Sequence, residues 1–276
     1  AATAGPGQEG ARALGSAFQK INFLRDFGED SGALGRAYFG APLDDALLTE
    51  RISQVRDSGV TVAVRVSPQN AREMAPKVIA AGAELLFIQG TLVSAEHVAT
   101  GGEPLNLKEF IGSLDVPVIA GGVTDYTTAL HLMRTGAAGV IVGAGVTTNA
   151  ETVGIDSAMA TAIADAAAAR RDYLDETGGR YVHIIADTEF ENSGNIAKAF
   201  ACGADSVALG PLLAQAREAG GKGWYWPATA GHPRFPRGFV QFSGADTDLD
   251  VDFLTTGTPA EAAEESAAPS LETVLH

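Results

Sequence analysis

Short apolar runs alternate with longer amphipathic stretches through the middle of the chain. The apolar runs are rich in Val, Ile, Leu and Ala and predict six strands, at 61–66, 85–88, 116–120, 139–142, 181–186 and 206–209. Runs this apolar are typical of parallel strands that are covered on both faces. The stretches between them predict helices at 71–81, 106–113, 126–135, 159–176 and 196–202. This order indicates βαβ units and a parallel sheet.

A repeated phrase ends four of the helical stretches. It reads Ser58-Gly59-Val60, Ala81-Gly82-Ala83, Thr135-Gly136-Ala137 and Cys202-Gly203-Ala204. Gly suits the left-handed conformation that ends a helix, and a predicted strand follows each time. The repetition is typical of an α/β barrel or a doubly wound sheet. No strand leads into a Gly-x-Gly-x-x-Gly turn, so the dinucleotide fingerprint of the doubly wound sheet is absent.

Charge and cysteine content narrow the classes of partner. The chain has 34 acidic and 19 basic residues and a net charge of -15, which disfavours nucleic acid. Its single cysteine, Cys202, cannot form an internal disulfide and fits a reducing compartment. The sequence contains no secretory signal and no apolar run of membrane-spanning length. We therefore expect a cytoplasmic protein with no membrane partner.

Three regions differ in character. Residues 1–40 contain a predicted amphipathic helix at 11–30, and residues 41–240 hold the strand–helix pattern. Residues 241–276 contain eight Asp or Glu and no Lys or Arg, which predicts a flexible acidic tail.

Candidate binding residues follow the predicted strands. In parallel α/β folds, ligands bind at the carboxyl ends of the strands. Those ends here are rich in glycine, hydroxyl and amide groups: Asn70, Gln89, Gly90, Gly121, Gly122, Gly143, Gly145, Thr147, Thr148, Asp187 and Gly210. Glycine lets a ligand approach the backbone, and the polar groups supply hydrogen bonds, so we expect a small polar ligand.

Several of these segments resemble one known family. Gly121-Gly122-Val123 and the segments 143–148, 159–167, 185–187, 193–199 and 202–207 are similar to the catalytic barrel of the IMP dehydrogenase/GMP reductase family. The likeness covers about 41–240 and is strongest to an actinobacterial paralogue related to IMP dehydrogenase. It implies a TIM-type (β/α)₈ barrel, a purine nucleotide (IMP, GMP or XMP), NAD or NADP, and a homo-oligomer. Only six strands are recognised, so the predicted barrel is incomplete, with two strands expected before residue 41.

The resemblance also implies roles for individual residues. Thr147 stands where the family has the cysteine that attacks the purine ring, so Thr147 and Thr148 are the catalytic candidates. Substrate-binding roles fall on Gly121, Gly122, Gly143, Gly145, Asp187 and Gly210, with Asp187 holding the ribose hydroxyls. Cofactor-binding roles fall on Asn70, Gln89 and Gly90. The expected activity is an NAD(P)-dependent oxidoreductase acting on a purine nucleotide.

The sequence departs from the family pattern at four points, one of which is Gln89 in place of an Asp near the nicotinamide ribose, and this leaves a second hypothesis open. A hydroxyl replaces the thiol at Thr147, Asp187-Thr188-Glu189 replaces Asp-Gly-Gly, and Gly210-Pro211 replaces Gly-Ser. A Thr hydroxyl is a weaker nucleophile than a thiolate, and Pro has no N–H for a phosphate. The alternative is a non-catalytic barrel that binds a nucleotide or a partner. Trp224-Tyr225-Trp226-Pro227 is interpreted as either a flap over the barrel mouth or a hydrophobic plug.

The first 40 residues resemble a different family. Gln19, Asn22, Asp26 and Asp30 recur at helical spacing within 11–39, as in the second aspartate-rich helix of phytoene/squalene synthases. In that family the aspartates hold Mg²⁺, which here makes Asp26 and Asp30 a weak candidate site and a prenyl transferase fragment a third hypothesis. No other metal site is expected. The chain thus reads as a chimeric sequence joined near Gly40-Ala41.

Overall fold

A six-stranded parallel sheet forms the centre of the protein. The computed structural model describes residues 45–90, 96–97, 105–143, 157–188, 190–219, 222–225, 241–244 and 249–256. The sheet strands are β1 (Ala63–Val66), β2 (Leu85–Gln89), β5 (Val118–Val123), β6 (Gly139–Val142), β7 (His183–Ala186) and β8 (Ser206–Val207). They lie side by side in chain order, and every adjacent pair is parallel.

Helices and two small antiparallel pairs complete the described structure. The helices are α1 (Asp45–Arg56), α2 (Ala71–Ala80), α3 (Leu107–Gly112), α4 (Tyr126–Arg134), α5 (Met159–Thr177), α6 (Ser193–Ala201), α7 (Pro211–Ala214) and α8 (Val251–Thr256). The antiparallel pairs join β3 (Glu96–His97) to β4 (Leu105–Asn106) and β9 (Trp224–Tyr225) to β10 (Gln241–Phe242). None of the described helices combines the length and the apolarity that crossing a membrane requires.

The two faces of the sheet bury different residues. One face packs against the helices through residues such as Val64, Leu86 and Ile184, all fully buried. The opposite face carries a separate apolar cluster of Ile119, Ile141 and Ile185, flanked by Leu85, Phe87 and Ala208. Because strand side chains alternate, the odd-numbered residues of β1, β2, β6 and β7 belong to this second face, together with Ile119 and Gly121 of β5. We call it the inner face.

The repeated glycines adopt the conformation that the sequence predicts. Gly59, Gly82, Gly136 and Gly203 have φ angles of 82°, 110°, 97° and 112°. The helical chain ends at each of these points, and the next sheet strand follows within a few residues. The same connection precedes β1, β2, β6 and β8, and because all six strands are parallel, their carboxyl ends meet at one edge of the sheet.

Strand β5 is longer than predicted, which corrects the position of two candidate residues. Gly121 and Gly122, expected in the turn after the strand, lie within it. The Gly90 N–H donates to the Gly121 carbonyl, and the Gly122 N–H donates to the Gly90 carbonyl. A register shift between Gly121 and Val123 follows on the side of β6.

Parts of the predicted flexible tail are folded, which corrects that expectation for residues 241–244 and 249–256. Gln241–Phe242 pairs with Trp224–Tyr225, and Leu254 of α8 is buried in the main core. The Arg217 N–H also donates to the Leu249 carbonyl. Part of this acidic segment therefore packs against the core through Leu254.

Candidate functional site

A buried amide and a carboxylate meet at the carboxyl edge of the inner face. Gln89 is the last residue of β2 and is 7% exposed. Its side-chain N–H donates to Oδ2 of Asp187, which directly follows β7. The Asp187 N–H in turn donates to the Val142 carbonyl, which fixes its backbone against β6. The contact joins two strands that are not neighbours in the sheet, across the glycines of β5 and the end of β6.

Burial and neighbouring groups shift the pKa of Asp187 in opposite directions. Burial raises the pKa of the Asp187 carboxyl above its ordinary value. The positive charge of Arg65, an inner-face residue of β1, and the hydrogen bond from Gln89 both lower that pKa. Burial is the largest of these effects. A ligand donor at Asp187 would therefore meet a carboxylate that water solvates poorly, where a hydrogen bond contributes more than it does at the surface.

Two positions next to the Gln89–Asp187 contact have no room for a side chain and are occupied by glycine. A Cβ at Gly121 would lie 2.4 Å from the Ile141 Cβ, and one at Gly143 would lie 2.3 Å from the Asp187 carbonyl oxygen. Gly143 also has a φ of 91°. Because neither position has room for a methyl group, the close approach of β5, β6 and β7 depends on glycine here.

The turn after β1 presents a buried hydroxyl group that no described residue satisfies. The Ser67 Oγ is buried and has no hydrogen-bond partner among the described residues. Asn70, the N-cap residue of α2, makes no side-chain capping hydrogen bond. Buried hydroxyls in proteins nearly always have a partner, so an unsatisfied one at the ligand edge of a sheet indicates a group that the protein itself does not supply.

The end of β8 is closed by an aromatic ring. A Cβ at Gly210 would lie 2.8 Å from the Tyr225 Oη and 3.0 Å from its Cζ. Pro211 follows as the first residue of α7 and has no N–H to donate. The ring explains why residue 210 is glycine, and the role of Gly210 in binding substrate stays a prediction. The choice between a flap and a plug for 224–227 stays a prediction, because residues 226 and 227 lie outside the described residues.

The structure brings together some of the predicted site residues and does not describe others. Gln89, Gly90, Gly121, Gly122, Gly143 and Asp187 lie at one edge of the sheet, and Asn70 lies in the β1–α2 turn of the same edge. The catalytic candidates Thr147 and Thr148 are outside the described residues, as are Gly145, Glu189, Asp26 and Asp30. No group of three or more His, Cys, Asp or Glu side chains in the described ranges could hold a metal ion.

Sequence reasoning missed Arg65 and assigned no role to Ser67. Both follow the inner-face alternation of β1, in which Val64 and Val66 pack towards the helices. An arginine in the middle of an otherwise apolar strand was the available signal. Cys202 lies elsewhere, as the half-buried C-cap residue of α6, at the opposite end of that helix from the ligand edge.

A second charged cluster lies at the amino ends of β7 and β8. Asp205 accepts from Arg170 Nη1 at 2.6 Å, from Tyr181 Oη at 2.5 Å and from the Ile184 N–H at 2.7 Å. The Arg170 guanidinium also lies 4.9 Å from the Tyr181 ring centroid. This cluster ties α5 to two strands, and in barrels this end of the strands contributes stability.

Comparison with known proteins assigns the family. The model of the IMP dehydrogenase / GMP reductase domain matches residues 48–231. The chain belongs to the IMP dehydrogenase/GMP reductase family. The match begins within α1 and includes all six strands of the parallel sheet, so the family resemblance that the sequence indicated is confirmed.

Relatives are similar over part of their length. An uncharacterised oxidoreductase of Mycolicibacterium smegmatis is 65% identical over 202 residues, which are 72% of this chain and 54% of the relative. The corresponding oxidoreductase of Mycobacterium leprae is 64% identical over the same length. Inosine-5'-monophosphate dehydrogenase of Pasteurella multocida is 33% identical over 167 residues, 59% of this chain and 32% of that enzyme. The chain spans about half the length of the oxidoreductases that it matches.

A solved structure supports the fold class. The crystal structure of an IMP dehydrogenase/GMP reductase-like protein from Corynebacterium glutamicum superposes with a TM-score of 0.73 at 62% identity, covering 90% of this chain and 66% of that one. The six described strands are thus part of a TIM-type barrel, and the predicted fold, an incomplete (β/α)₈ barrel, is confirmed.

Proposed function

We propose that the inner face binds a purine nucleotide beside a nicotinamide cofactor, and that the chain is an NAD(P)-dependent oxidoreductase acting on that nucleotide. The observation that carries the proposal is the Gln89–Asp187 hydrogen bond at the ligand edge of a family barrel. A carboxylate accepts two hydrogen bonds from a vicinal diol, and the ribose of a ribonucleotide offers such a diol. Asp187 would therefore hold the ribose.

The residues at this edge are compatible with a nicotinamide ring. Gln89 keeps its amide oxygen as an acceptor while its N–H donates to Asp187, and Gly90 has no side chain that would exclude a flat ring. The Ser67 hydroxyl, which no described residue satisfies, and the side chain of Asn70, which makes no capping hydrogen bond, supply further polar groups. We propose Asn70, Gln89 and Gly90 as the residues that hold the cofactor. The cofactor would supply hydride acceptance or donation.

The glycines and two threonines complete the proposed site. Gly121, Gly122, Gly143 and Gly145 would let the nucleotide approach the backbone, and Thr147 and Thr148 would line the reacting face. By analogy with the family, the chain would act as a homo-oligomer in the cytoplasm. Size-exclusion chromatography with light scattering tests the oligomeric state.

The ribose assignment can be tested with one chemical change in the ligand and one in the protein. Binding of IMP and of 2′-deoxy-IMP is measured by calorimetry for the wild-type protein and for Asp187→Asn. A hydrogen bond to a charged group contributes about 1.5–3 kcal/mol, so the wild type should prefer IMP by about tenfold or more. Asp187→Asn should lose most of that preference. Asp115→Asn, the same change at an exposed residue before β5, should keep it.

Two results would contradict the proposal. One is the absence of any binding or thermal stabilisation with IMP or GMP at millimolar concentration, since saturation at a hundred times Kd should add about 2.7 kcal/mol. The other is an equal preference for IMP in the wild type and in Asp187→Asn. Turnover is tested by absorbance at 340 nm with IMP and NAD, and with GMP and NADPH.

A non-catalytic nucleotide-binding barrel is the second candidate. Pro211 at the start of α7 and the hydroxyl at Thr147 favour it, because both weaken groups that family members use. Thr147→Cys separates the two functions. Turnover in wild type supports the enzyme, turnover only in Thr147→Cys supports an intact site that lacks its nucleophile, and binding without turnover in either supports the non-catalytic barrel.

A further inference from the structure

The Gln89 side chain reaches Asp187 across the two strands, β5 and β6, that lie between β2 and β7 in the sheet. Both intervening strands carry a glycine at this level. Gly121 is the register partner of Gln89, and Gly143 follows Val142, whose carbonyl accepts from the Asp187 N–H at 2.8 Å. A Cβ at either glycine would collide with backbone atoms. The space between the amide and the carboxylate is therefore kept free of side chains, so the two groups can meet.

The position of Gln89 is fixed by backbone hydrogen bonds on both sides of its strand. β2 pairs with β1 on one side and with β5 on the other. The next residue, Gly90, donates to the Gly121 carbonyl at 3.0 Å and accepts from the Gly122 N–H at 3.3 Å. The Gln89 side chain is buried, so its amide has few alternative partners and the contact with Asp187 constrains both side chains.

The chemical type of residue 89 matters as much as its position. A carboxylate offers about four lone-pair sites, and the Gln89 N–H occupies one of them at Oδ2 of Asp187. The amide donates to that oxygen without adding a charge. A second carboxylate at position 89 would repel Asp187 unless the pair shared a proton, and an apolar side chain would remove the donor from a buried acceptor.

We propose that Gln89 is a positioning residue, which holds Asp187 through Oδ2 in the orientation in which the other lone pairs of the carboxylate face the ribose diol of the nucleotide. The inference rests on the proposed function, because it deepens the assignment of Asp187 to the ribose. Gln89 acts on the nucleotide through Asp187, and its own Oε1 remains for the cofactor.

The test measures how the preference for IMP over 2′-deoxy-IMP depends on pH. Calorimetry between about pH 5 and pH 8 compares the wild type with Gln89→Met, which keeps the length of the side chain and removes the donor, and with Gln89→Glu. Gln54→Met, the same change at an exposed residue of α1, is the matched control. Among the described residues, Arg65 of β1 is the charged group that lowers the pKa of Asp187, and it is the same in every variant.

Loss of the donor should have two effects. At pH 8, Gln89→Met should lower the IMP/2′-deoxy-IMP affinity ratio about fivefold. Because the hydrogen bond from Gln89 lowers the pKa of Asp187, the pH at which the preference is half lost should also rise in Gln89→Met. In Gln89→Glu the preference should be weak at pH 8 and should increase as the pH falls, because a shared proton restores a hydrogen bond between the two carboxyl groups. Gln54→Met should match the wild type at every pH.

The outcomes separate this inference from the proposed function. If Asp187→Asn removes the preference for IMP while Gln89→Met keeps the ratio and the midpoint pH of the wild type, the inference is wrong and the proposed function stands. A ratio that falls equally at every pH in Gln89→Met, without recovery in Gln89→Glu at low pH, would show a general structural effect and would also overturn the inference. If the wild type does not prefer IMP, the ribose assignment and the inference both fail. Should Gln89→Met not melt cooperatively, the direction of the pH dependence in Gln89→Glu decides the result.

Discussion

Replacing Gly121 by alanine should destabilise the barrel strongly, because the added methyl group meets backbone. A Cβ there would lie 2.4 Å from the Ile141 Cβ, 2.6 Å from its carbonyl oxygen and 2.9 Å from its Cα. Carbon atoms in contact normally lie about 3.5–4.0 Å apart, so the overlap is about 1 Å or more. Two of the three atoms are backbone of β6, and no rotamer change can move them. Relief requires β5 and β6 to separate.

The expected magnitude follows from this geometry. Overpacking in a core costs about 1–3 kcal/mol and occasionally more, and rigid neighbours place Gly121→Ala at the upper end, about 3 kcal/mol. At about 2–4 °C per kcal/mol for a chain of about this size, the melting temperature should fall by about 6–12 °C. Thermal melts followed by circular dichroism, with urea unfolding in parallel, measure both quantities.

Two other glycines provide a graded control. A Cβ at Gly139 would meet the Ile185 Cδ1 at 2.9 Å and the Ile119 Cγ1 at 3.1 Å, which are side-chain atoms that can move, while the nearest backbone atom, the His183 carbonyl oxygen, lies at 3.3 Å. Gly139→Ala should therefore cost less than Gly121→Ala. A Cβ at Gly112 meets nothing within 4 Å, so Gly112→Ala at the end of α3 should be neutral or slightly stabilising. The reasoning is refuted if Gly121→Ala melts within a degree of the wild type, or no lower than Gly139→Ala.

Three further substitutions test the electrostatics and the packing. Asp125 accepts from the Thr128 N–H at 2.9 Å and from its hydroxyl, so Asp125→Ala should cost about 0.5–2 kcal/mol at pH 7. These hydrogen bonds lower the pKa of Asp125 in the folded state. The difference in unfolding free energy between Asp125→Ala and the wild type should therefore shrink when urea unfolding is repeated below about pH 4. A difference that stays constant with pH would contradict this prediction. Burial raises the pKa of Asp187, so ionisation of this carboxyl destabilises the fold as the pH rises above about 4. The unfolding free energy of Asp187→Asn should therefore increase relative to that of the wild type between pH 4 and pH 7. A difference that does not change with pH would show that Asp187 is solvated. Leu254→Ala should destabilise the protein by about 1–3 kcal/mol and increase hydrogen exchange in α8. Phe253→Ala, at a residue that is 37% exposed, should change the stability by less than about 0.5 kcal/mol. Equal effects of the two substitutions would mean that α8 does not pack as described.

The local sequence predicted the repeating unit of the fold well. The strand at 139–142 has the predicted bounds, and the other five predicted strands differ at one or both ends. The four glycine phrases marked the points where helical chain gives way to strand, because a left-handed residue is a local requirement that one residue type meets. The Ser58-Gly59-Val60 phrase predicted a helix that ends where α1 ends, but no bounds were predicted for it, although Leu48, Ile52 and Val55 recur at helical spacing on its buried face.

A topological rule identified candidate ligand residues from the sequence, but it did not predict which of their side chains contact each other. The rule that ligands bind at the carboxyl ends of parallel strands selected Gln89, Gly121 and Asp187 from the sequence. Their separation along the chain, 98 residues between Gln89 and Asp187, gave no indication that the two side chains bond to each other. Arg65 was missed because its significance depends on which face of β1 it occupies.

The sequence by itself determined the order of strands and helices, the ends of the helices and the family, because these depend on patterns within about thirty neighbouring residues at a time. Only the tertiary structure decided which side chains share the inner face, that Tyr225 covers Gly210, and that part of the acidic segment packs against the barrel. Those features depend on the register of strands that are distant in sequence, and a shift of one residue would turn Arg65, Gln89 and Asp187 to the opposite face. The residue types of the proposed site can therefore be read from the sequence, but which of them lie together depends on the folded sheet.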